Sequence, residues 1–122
     1  MSEHARDEER EQRIEMEIIV DAYGPEDQAL GWYYWLEEQL QFPFRARCRV
    51  ERRISPLRVG EEVDVIGMPG EDACEHEMFV LISWQGRTLA VPLAQLDGVD
   101  VDEQTREGID YWHYWVGQGY EL

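Results

Sequence analysis

The stretch GWYYWLEEQLQFPFRARCRV, residues 31–50, changes its hydrophobic period part-way along, and this change decides the fold class. Its first half continues a helix that begins at Pro25, a residue suited to a first helical position, and runs to about Gln41. From Phe44 to Val50, apolar residues alternate with arginines, which is typical of a half-buried strand. The apolar stripe of the helix consists of Ala29, Leu30, Tyr33, Leu36 and Leu40.

Two further helices are predicted from apolar residues at helical spacing. The first covers residues 3–23, where isoleucines recur four residues apart and Gly24-Pro25 stops the pattern. The second runs from about Asp102 to Gly117 at the end of the chain. Its apolar positions are Ile109, Trp112, Trp115 and Val116.

Three further strands are predicted between these helices. Residues 60–68 form one strand, and residues 79–84 and 88–91 form a hairpin that turns at residues 85–87. The elements together predict an α+β fold, in which N-terminal helices and a C-terminal helix pack on a small, strongly bent antiparallel sheet. An SH3-like barrel is left open as one form of that sheet.

Length and composition predict one domain over residues 1–122, with residues 1–12 as a charged N-terminal extension of the first helix. Apolar residues make up 43% of the chain, which is enough for a hydrophobic core. No run of 18 apolar residues occurs, and the charged N-terminus does not resemble a secretory signal. Two cysteines are too few for a disulfide framework. We therefore expect a cytoplasmic protein without a membrane span.

The charge of the chain limits its partners. Twenty-seven acidic residues outnumber eleven basic ones, all of them arginine, and the formal net charge is −16. Such a field repels nucleic acids and anionic membranes, whereas it attracts metal cations or a basic protein partner. An acidic surface that only maintains solubility remains an alternative. We expect a monomer that binds neither nucleic acid nor membranes.

Three acidic clusters are candidates for a cation site. Glu37 and Glu38 lie near the C-terminus of the second helix, where the helix dipole disfavours negative charge. Asp97, Asp100 and Asp102 precede the last helix together with Glu103, although Asp100 or Asp102 is also suited to cap that helix. A third cluster, Glu71, Asp72, Glu75 and Glu77, lies in a predicted loop. Solvation or salt bridges would explain each cluster without a metal.

Several specific sites can be weighed against the sequence. The residues after Asp97 do not form an EF-hand: counted from Asp100, the sixth residue is Thr105 rather than glycine and the twelfth is Tyr111 rather than glutamate. A zinc site through Cys74 and His76 lacks further cysteine or histidine ligands at a paired spacing. No phosphate-binding loop, nucleophile elbow or dinucleotide fingerprint occurs, so we predict that the protein is not an enzyme.

Three aromatic-rich segments carry a resemblance that covers residues 13–122. They are EIIVDAYGPEDQALGWYYWLEEQLQFPF (17–44), MFVLISWQGRTLAVPLAQL (78–96) and DYWHYWVGQGYEL (110–122). In this order they resemble the calcium-binding CcbP family, which is best known from cyanobacteria. The resemblance implies a small acidic cytoplasmic protein that binds Ca2+ without an EF-hand and buffers or sequesters it at a negative surface.

The resemblance also implies which acidic residues bind the ion. Members of the family carry an acidic pair after the aromatic run, which corresponds to Glu37 and Glu38 here. Glu38 is the implied ligand and Glu37 its neighbour, although the family commonly has aspartate at the position of Glu38. Asp97, Asp100 and Asp102 enter the candidate site only through the cluster argument. The competing hypothesis is an acidic interaction module for a basic protein partner.

Overall fold

Three α-helices and five β-strands make up the described part of the chain, residues 7–122 of this computed structural model. The helices are α1 (Glu8–Arg13), α2 (Pro25–Gln39) and α3 (Glu103–Gly117). A π-helical turn (Ile14–Ile18) continues α1, and short 3-10 turns cover Glu71–Cys74 and Leu93–Gln95. The strands are β1 (Phe44–Cys48), β2 (Glu62–Gly67), β3 (Phe79–Trp84), β4 (Arg87–Pro92) and β5 (Leu96–Val99).

The five strands form one antiparallel sheet in the order β4-β3-β2-β1-β5. The predicted α+β fold is confirmed. The sheet is open, with β4 and β5 at its two edges, so the SH3-like barrel that the sequence left open is not formed. The hairpin between β3 and β4 turns at Gln85-Gly86, both with positive φ, which suits a tight two-residue connection.

Tryptophan side chains join the helices to each other in the core. Trp32 of α2 and Trp112 of α3 are almost completely buried, and their rings meet edge to face at 5.1 Å. The core-facing side of β1 contains Phe44, Ala46 and Cys48, as the alternating pattern predicted. The aromatic runs therefore serve the core in α2 and α3, rather than an exposed ligand platform.

The first helix is shorter than the prediction. Regular helix ends at Ile18, and Asp21 has a left-handed backbone (φ 58°), so residues 19–23 do not continue the helix. Ile14 and Ile18 are buried as expected, but Tyr23 is exposed. The end of the helix lies against α2 at Gly31, where an added Cβ would overlap the carbonyl oxygen of Ile18. Residues 3–6 of the prediction lie outside the described residues.

The remaining boundaries differ in detail. The second helix ends at Gln39 instead of Gln41, and β1 ends two residues before Val50. The sequence did not predict β5, whose Asp97 is paired with Arg47 of β1. Among the described residues, no helix has the length and apolar content needed to cross a membrane.

Candidate metal site

The last turn of α2 carries the acidic pair. Glu37 and Glu38 are both exposed, and the sequence of this turn contains no basic residue that would offset the helix dipole. The helix ends one residue later at Gln39, and Leu40 adopts an extended conformation. The unfavourable placement expected from the sequence is therefore present in the structure.

The C-terminal end of α2 lies against the N-terminal half of α3. Gly108 of α3 makes this close approach, because a Cβ at this position would lie 3.0 Å from Cβ of Gln39 and 3.2 Å from Leu40 Cδ2. A side chain at residue 108 would thus push the two helices apart. The first two acidic clusters, which are some 60 residues apart in sequence, are brought to one end of the molecule by this contact.

A buried hydroxyl connects the two helix ends. Oγ1 of Thr105 accepts a hydrogen bond of 3.0 Å from the backbone N–H of Gln41, just beyond α2. The backbone N–H of Thr105 donates to Oδ1 of Asp102 over 2.9 Å, which makes Asp102 the N-cap of α3. Thr105 is 1% exposed. One residue thus contacts both the segment after Glu38 and the carboxylate of Asp102.

The backbone carbonyl of Glu38 belongs to the same network. It accepts a hydrogen bond of 3.0 Å from Nε2 of Gln41 and a longer one of 3.4 Å from Nε2 of Gln104, which belongs to α3. These contacts place Glu38 beside the first turn of α3. Gln41, Gln104 and Thr105 stand out in no local pattern of the sequence, because a hydrogen bond between distant segments leaves no such pattern.

Asp100 and Asp102 line a cleft of about 570 Å³ at this junction. Asp100 is exposed and has a left-handed backbone (φ 52°), a conformation that aspartate tolerates better than most residues. The hydrogen bonds from Thr105 lower the pKa of Asp102, so this carboxylate is ionised at neutral pH. The ionised Asp102 therefore presents negative charge to the cleft, beside the exposed side chain of Asp100.

The basic residue in the cleft already has acidic partners. Arg45 of β1 lines the cleft and forms ion pairs with Glu62 (3.2 Å) and Asp64 (3.0 Å), both on β2. Arg47 also binds Glu62, and the two arginines lower the pKa of that carboxyl group, with the hydrogen bond from Arg47 as the larger cause. Arg45 is thus bound to β2, and it forms no ion pair with Asp100 or Asp102.

Asp97 lies apart from the other aspartates. It is on β5, where its Oδ1 is 3.7 Å from Nδ1 of His113. Burial lowers the pKa of His113, so the imidazole is neutral at pH 7 and this contact is not an ion pair there. Asp97 and Asp100 are three residues apart, which corresponds to about 10 Å along an extended chain.

Glu37 lies beside a different part of the surface from the α3 junction. Burial and then the neighbouring Glu37 carboxylate raise the pKa of Tyr33, whose hydroxyl donates to the carbonyl oxygen of Pro69 over 2.5 Å. The adjacent Tyr34 donates a hydrogen bond to Glu71, and this bond raises the pKa of Tyr34. Glu37 therefore borders the third acidic cluster, whereas the backbone of Glu38 contacts α3.

The residues present fit a hard cation by their chemistry, but they do not form a complete ligand shell. Within residues 7–122, no group of three or more His, Cys, Asp and Glu side chains is arranged to hold a metal ion. Calcium accepts carboxylate, carbonyl and water oxygens in flexible geometry, so exposed carboxylates beside backbone carbonyls suit it. The zinc alternative fits poorly, because Cys74 is buried with its sulfur accepting from the N–H of Phe79, whereas His76 is exposed.

Comparison with known proteins identifies the family. A family model described as calcium binding, Calci_bind_CcbP, matches residues 12–116. The chain belongs to the calcium-binding CcbP family. It is 39% identical to Anabaena CcbP, whose crystal structure aligns over 100% of both chains with a TM-score of 0.86. A structure of a calcium-binding protein in the calcium-binding form aligns with the same identity and coverage and a TM-score of 0.84. The chain matches no curated protein.

Membership in the CcbP family confirms two predictions. The predicted resemblance is correct, and the ion that the protein binds is Ca2+. The family also suggests a non-enzymatic role.

Proposed function

We propose that the protein is a cytoplasmic Ca2+ buffer, whose ion site lies where the end of α2 meets the start of α3. The observation that carries this proposal is the contact of Thr105 with both Gln41 and Asp102. Through this contact the segment that carries Glu38 lies next to the aspartates before α3. The ligands proposed from side chains are Glu38, Asp100 and Asp102.

Each proposed ligand retains oxygen atoms for a cation. Oδ1 of Asp102 is used to cap α3, which leaves Oδ2 for Ca2+ without loss of the cap. Glu38 and Asp100 are exposed, so their carboxylates can turn towards an ion by rotation about side-chain bonds. Water and backbone carbonyl groups would complete the six to eight oxygen ligands that Ca2+ takes.

Glu37 and Asp97 have a supporting role in this proposal. Asp97 lies about 10 Å along the chain from Asp100, and Glu37 borders Tyr33 rather than α3. At physiological ionic strength the screening length is about 8 Å, so Asp97 would contribute a weakened attraction, and in this proposal neither carboxylate is a direct ligand. Their removal should reduce Ca2+ affinity less than removal of Asp100 or Asp102.

The proposal favours a buffer over a sensor. A sensor must change conformation on binding and expose a new surface. Here Trp32 and Trp112 pack α2 against α3 in the core, and Gly108 fits closely against Gln39, which leaves little room for the helices to shift. We expect Ca2+ to order exposed side chains without moving the helices. Far-ultraviolet and tryptophan spectra should therefore change little on saturation.

An acidic interaction module is the second candidate, and one surface favours it. Glu26, Glu71, Asp72 and Glu75 surround a groove of about 270 Å³ together with Ala29 and Leu30. A basic segment of a protein partner would fit this groove by charge. Binding of such a partner would weaken as salt screens it, whereas Ca2+ binding at a coordinated site would persist at moderate salt and in excess Mg2+.

The experiment uses calorimetric titration of Ca2+ into chelator-treated protein in the presence of millimolar Mg2+. Glu38→Gln, Asp100→Asn and Asp102→Asn each remove a charge while keeping the side-chain shape, and Asp102→Asn also keeps an N-cap residue. Glu51→Gln removes the same charge from an exposed loop position and serves as the matched control. Ca2+ affinity that falls in the three variants but not in the control supports the site.

The opposite pattern would refute the proposed site. If the three variants and Glu51→Gln all reduce affinity equally, general charge and not coordination attracts the ion. Two further features stay predictions. One is a single ion-binding domain over residues 1–122, in which residues 1–12 extend the first helix. The other is the monomeric state.

A further inference from the structure

Thr105 is a buried polar residue at the crossing of α2 and α3. It is 1% exposed and lies in the first turn of α3, on the wall of the cleft that Asp100 and Asp102 also line. A buried hydroxyl needs hydrogen-bond partners, and here it accepts from the N–H of Gln41. Valine has nearly the same shape but no hydroxyl, so packing alone does not require threonine, whereas the hydrogen bond to Gln41 does.

The hydrogen bonds of Thr105 reach both sides of the proposed ion site. Its side chain fixes the backbone at Gln41, three residues after Glu38, whose own carbonyl accepts from Nε2 of Gln41. Its backbone N–H donates to Oδ1 of Asp102, and its side chain also hydrogen-bonds the Asp102 carboxylate. Thr105 therefore links Asp102 to the chain segment of Glu38, beside the longer contact of Gln104 with the Glu38 carbonyl.

We propose that Thr105 is a positioning residue for Ca2+ binding: its hydroxyl sets the distance between the chain segment of Glu38 and the carboxylate of Asp102. This inference rests on the proposed function, because it assumes that both carboxylates bind the ion. Thr105 does not touch the ion itself. Residues that orient metal ligands in this way typically change affinity by about 10- to 100-fold when they are mutated.

The decisive pair of variants is Thr105→Val and Thr105→Ser. Valine keeps the volume and removes the hydroxyl, which accepts from the Gln41 N–H and also hydrogen-bonds the Asp102 carboxylate. Serine keeps the hydroxyl and removes only a methyl group. We expect Thr105→Val to weaken Ca2+ binding about tenfold and Thr105→Ser to bind nearly as the wild type does. A role in packing alone would give the reverse order, since serine leaves the larger gap.

A second measurement tests the hydrogen bond between Thr105 and the Gln41 N–H in the Ca2+-free protein. Hydrogen exchange in the Ca2+-free protein should be faster at the Gln41 amide in Thr105→Val than in wild type, while amides in β3 keep their protection. Unchanged exchange at Gln41 would show that the hydroxyl does not hold this segment. The proposal would then be wrong, whatever the calcium affinity.

A further pair of variants removes the same hydrogen bond from the donor side, in case Thr105→Val does not fold. Gln41→Pro lacks the backbone N–H, and the extended backbone of the preceding Leu40 (ψ 117°) suits a residue before proline. Gln41→Ala keeps the N–H and loses only the side chain, and it is the matched control. Ca2+ binding should be weaker in Gln41→Pro than in Gln41→Ala, and equal binding would overturn the proposal.

Failure of this inference can be separated from failure of the proposed function. If Asp102→Asn weakens Ca2+ binding but Thr105→Val does not, Thr105 has no positioning role and the ion site stands. If Glu38→Gln and Asp102→Asn both leave the affinity unchanged, the site itself is wrong and the role of Thr105 falls with it.

Discussion

Gly108 of α3 faces Gln39 of α2 so closely that a Cβ on the glycine would lie 3.0 Å from that of the glutamine. This approach brings the end of one helix, with its exposed Glu38, to the first turn of the other. Glycine at residue 108 is unfavourable for an α-helix by about 1 kcal/mol relative to alanine. The close contact of α2 and α3 explains why it is there.

Gly108→Ala should lower the free energy of unfolding by up to about 2 kcal/mol, because overpacking of about 1–3 kcal/mol exceeds the gain in helix propensity. It should also weaken Ca2+ binding, since the helix ends move apart. Gly117→Ala is the control, because a Cβ there meets no atom within 4 Å. Urea unfolding and calcium titration of both variants test this, and a stabilised Gly108→Ala protein with normal Ca2+ affinity would contradict it.

Asp100 allows backbone and ligand effects to be separated. Asp100→Gly accommodates the left-handed backbone and removes the carboxylate, so we expect unchanged stability with weaker Ca2+ binding. Asp100→Ala should lose the same affinity and should also be less stable by about 1–2 kcal/mol, because alanine is strained at positive φ. Thermal unfolding and calorimetry distinguish the two variants. Equal Ca2+ affinity in wild type and Asp100→Gly would remove Asp100 from the site.

The pH dependence of stability should report the cap formed by Asp102. Its pKa is lowered in the folded protein by hydrogen bonds from Thr105, so its contribution is present above the unfolded pKa of about 3.9 and is lost as pH falls through the folded value. Wild type should therefore lose stability relative to Asp102→Asn as the pH falls from about 6 to about 2, a range that spans this transition. The free energy of unfolding of both proteins, measured across that range, tests this.

Glu51→Gln serves as the control for general charge in this measurement, because it removes one negative charge from an exposed residue elsewhere. Its difference from wild type at each pH is subtracted from that of Asp102→Asn. A remaining difference that does not change with pH would mean that the ionised cap adds no stability.

The cysteines should be unreactive in the folded protein. Cys48 and Cys74 are free and buried, and burial raises the pKa of both thiols, so little thiolate forms at neutral pH. A thiol reagent should modify them only at the rate of unfolding, with full reaction in denaturant. Rapid modification of Cys74 in the native protein would revive the zinc hypothesis, which requires an accessible thiolate next to His76.

Local sequence signals predicted most of the fold. Pro25 marks the start of α2, alternation from Phe44 marks β1, and Asp102 caps α3, and each of these signals involves neighbouring residues. The strand β5 was missed because it has only four residues, including a glycine, and exists through its pairing with β1. The end of the first helix at Ile18 was missed because the isoleucine spacing did not indicate where the chain turns towards Gly31.

The candidate site was predictable in residue type but not in arrangement. An acidic pair at the end of a helix drew attention to Glu37 and Glu38, and four acids around the next helix start drew attention to Asp100 and Asp102. The i, i+4 spacing places Glu37 beside Tyr33, but it did not predict that this face of α2 would contact Pro69 and Glu71. Nor did it predict that Asp97 would lie on a strand beside His113. No sequence pattern marks Thr105, because its hydroxyl accepts a hydrogen bond from a residue 64 positions away in the chain.

The measurement that tests the central claim most directly is the calorimetric titration of Ca2+ into wild type, Asp102→Asn and Glu51→Gln, with millimolar Mg2+ and physiological salt. We predict saturable binding of sub-millimolar affinity in wild type and Glu51→Gln. Binding in Asp102→Asn should be at least about tenfold weaker, as is typical when a residue of a metal site is mutated. The same affinity in Asp102→Asn and Glu51→Gln would contradict an ion site at the junction of α2 and α3.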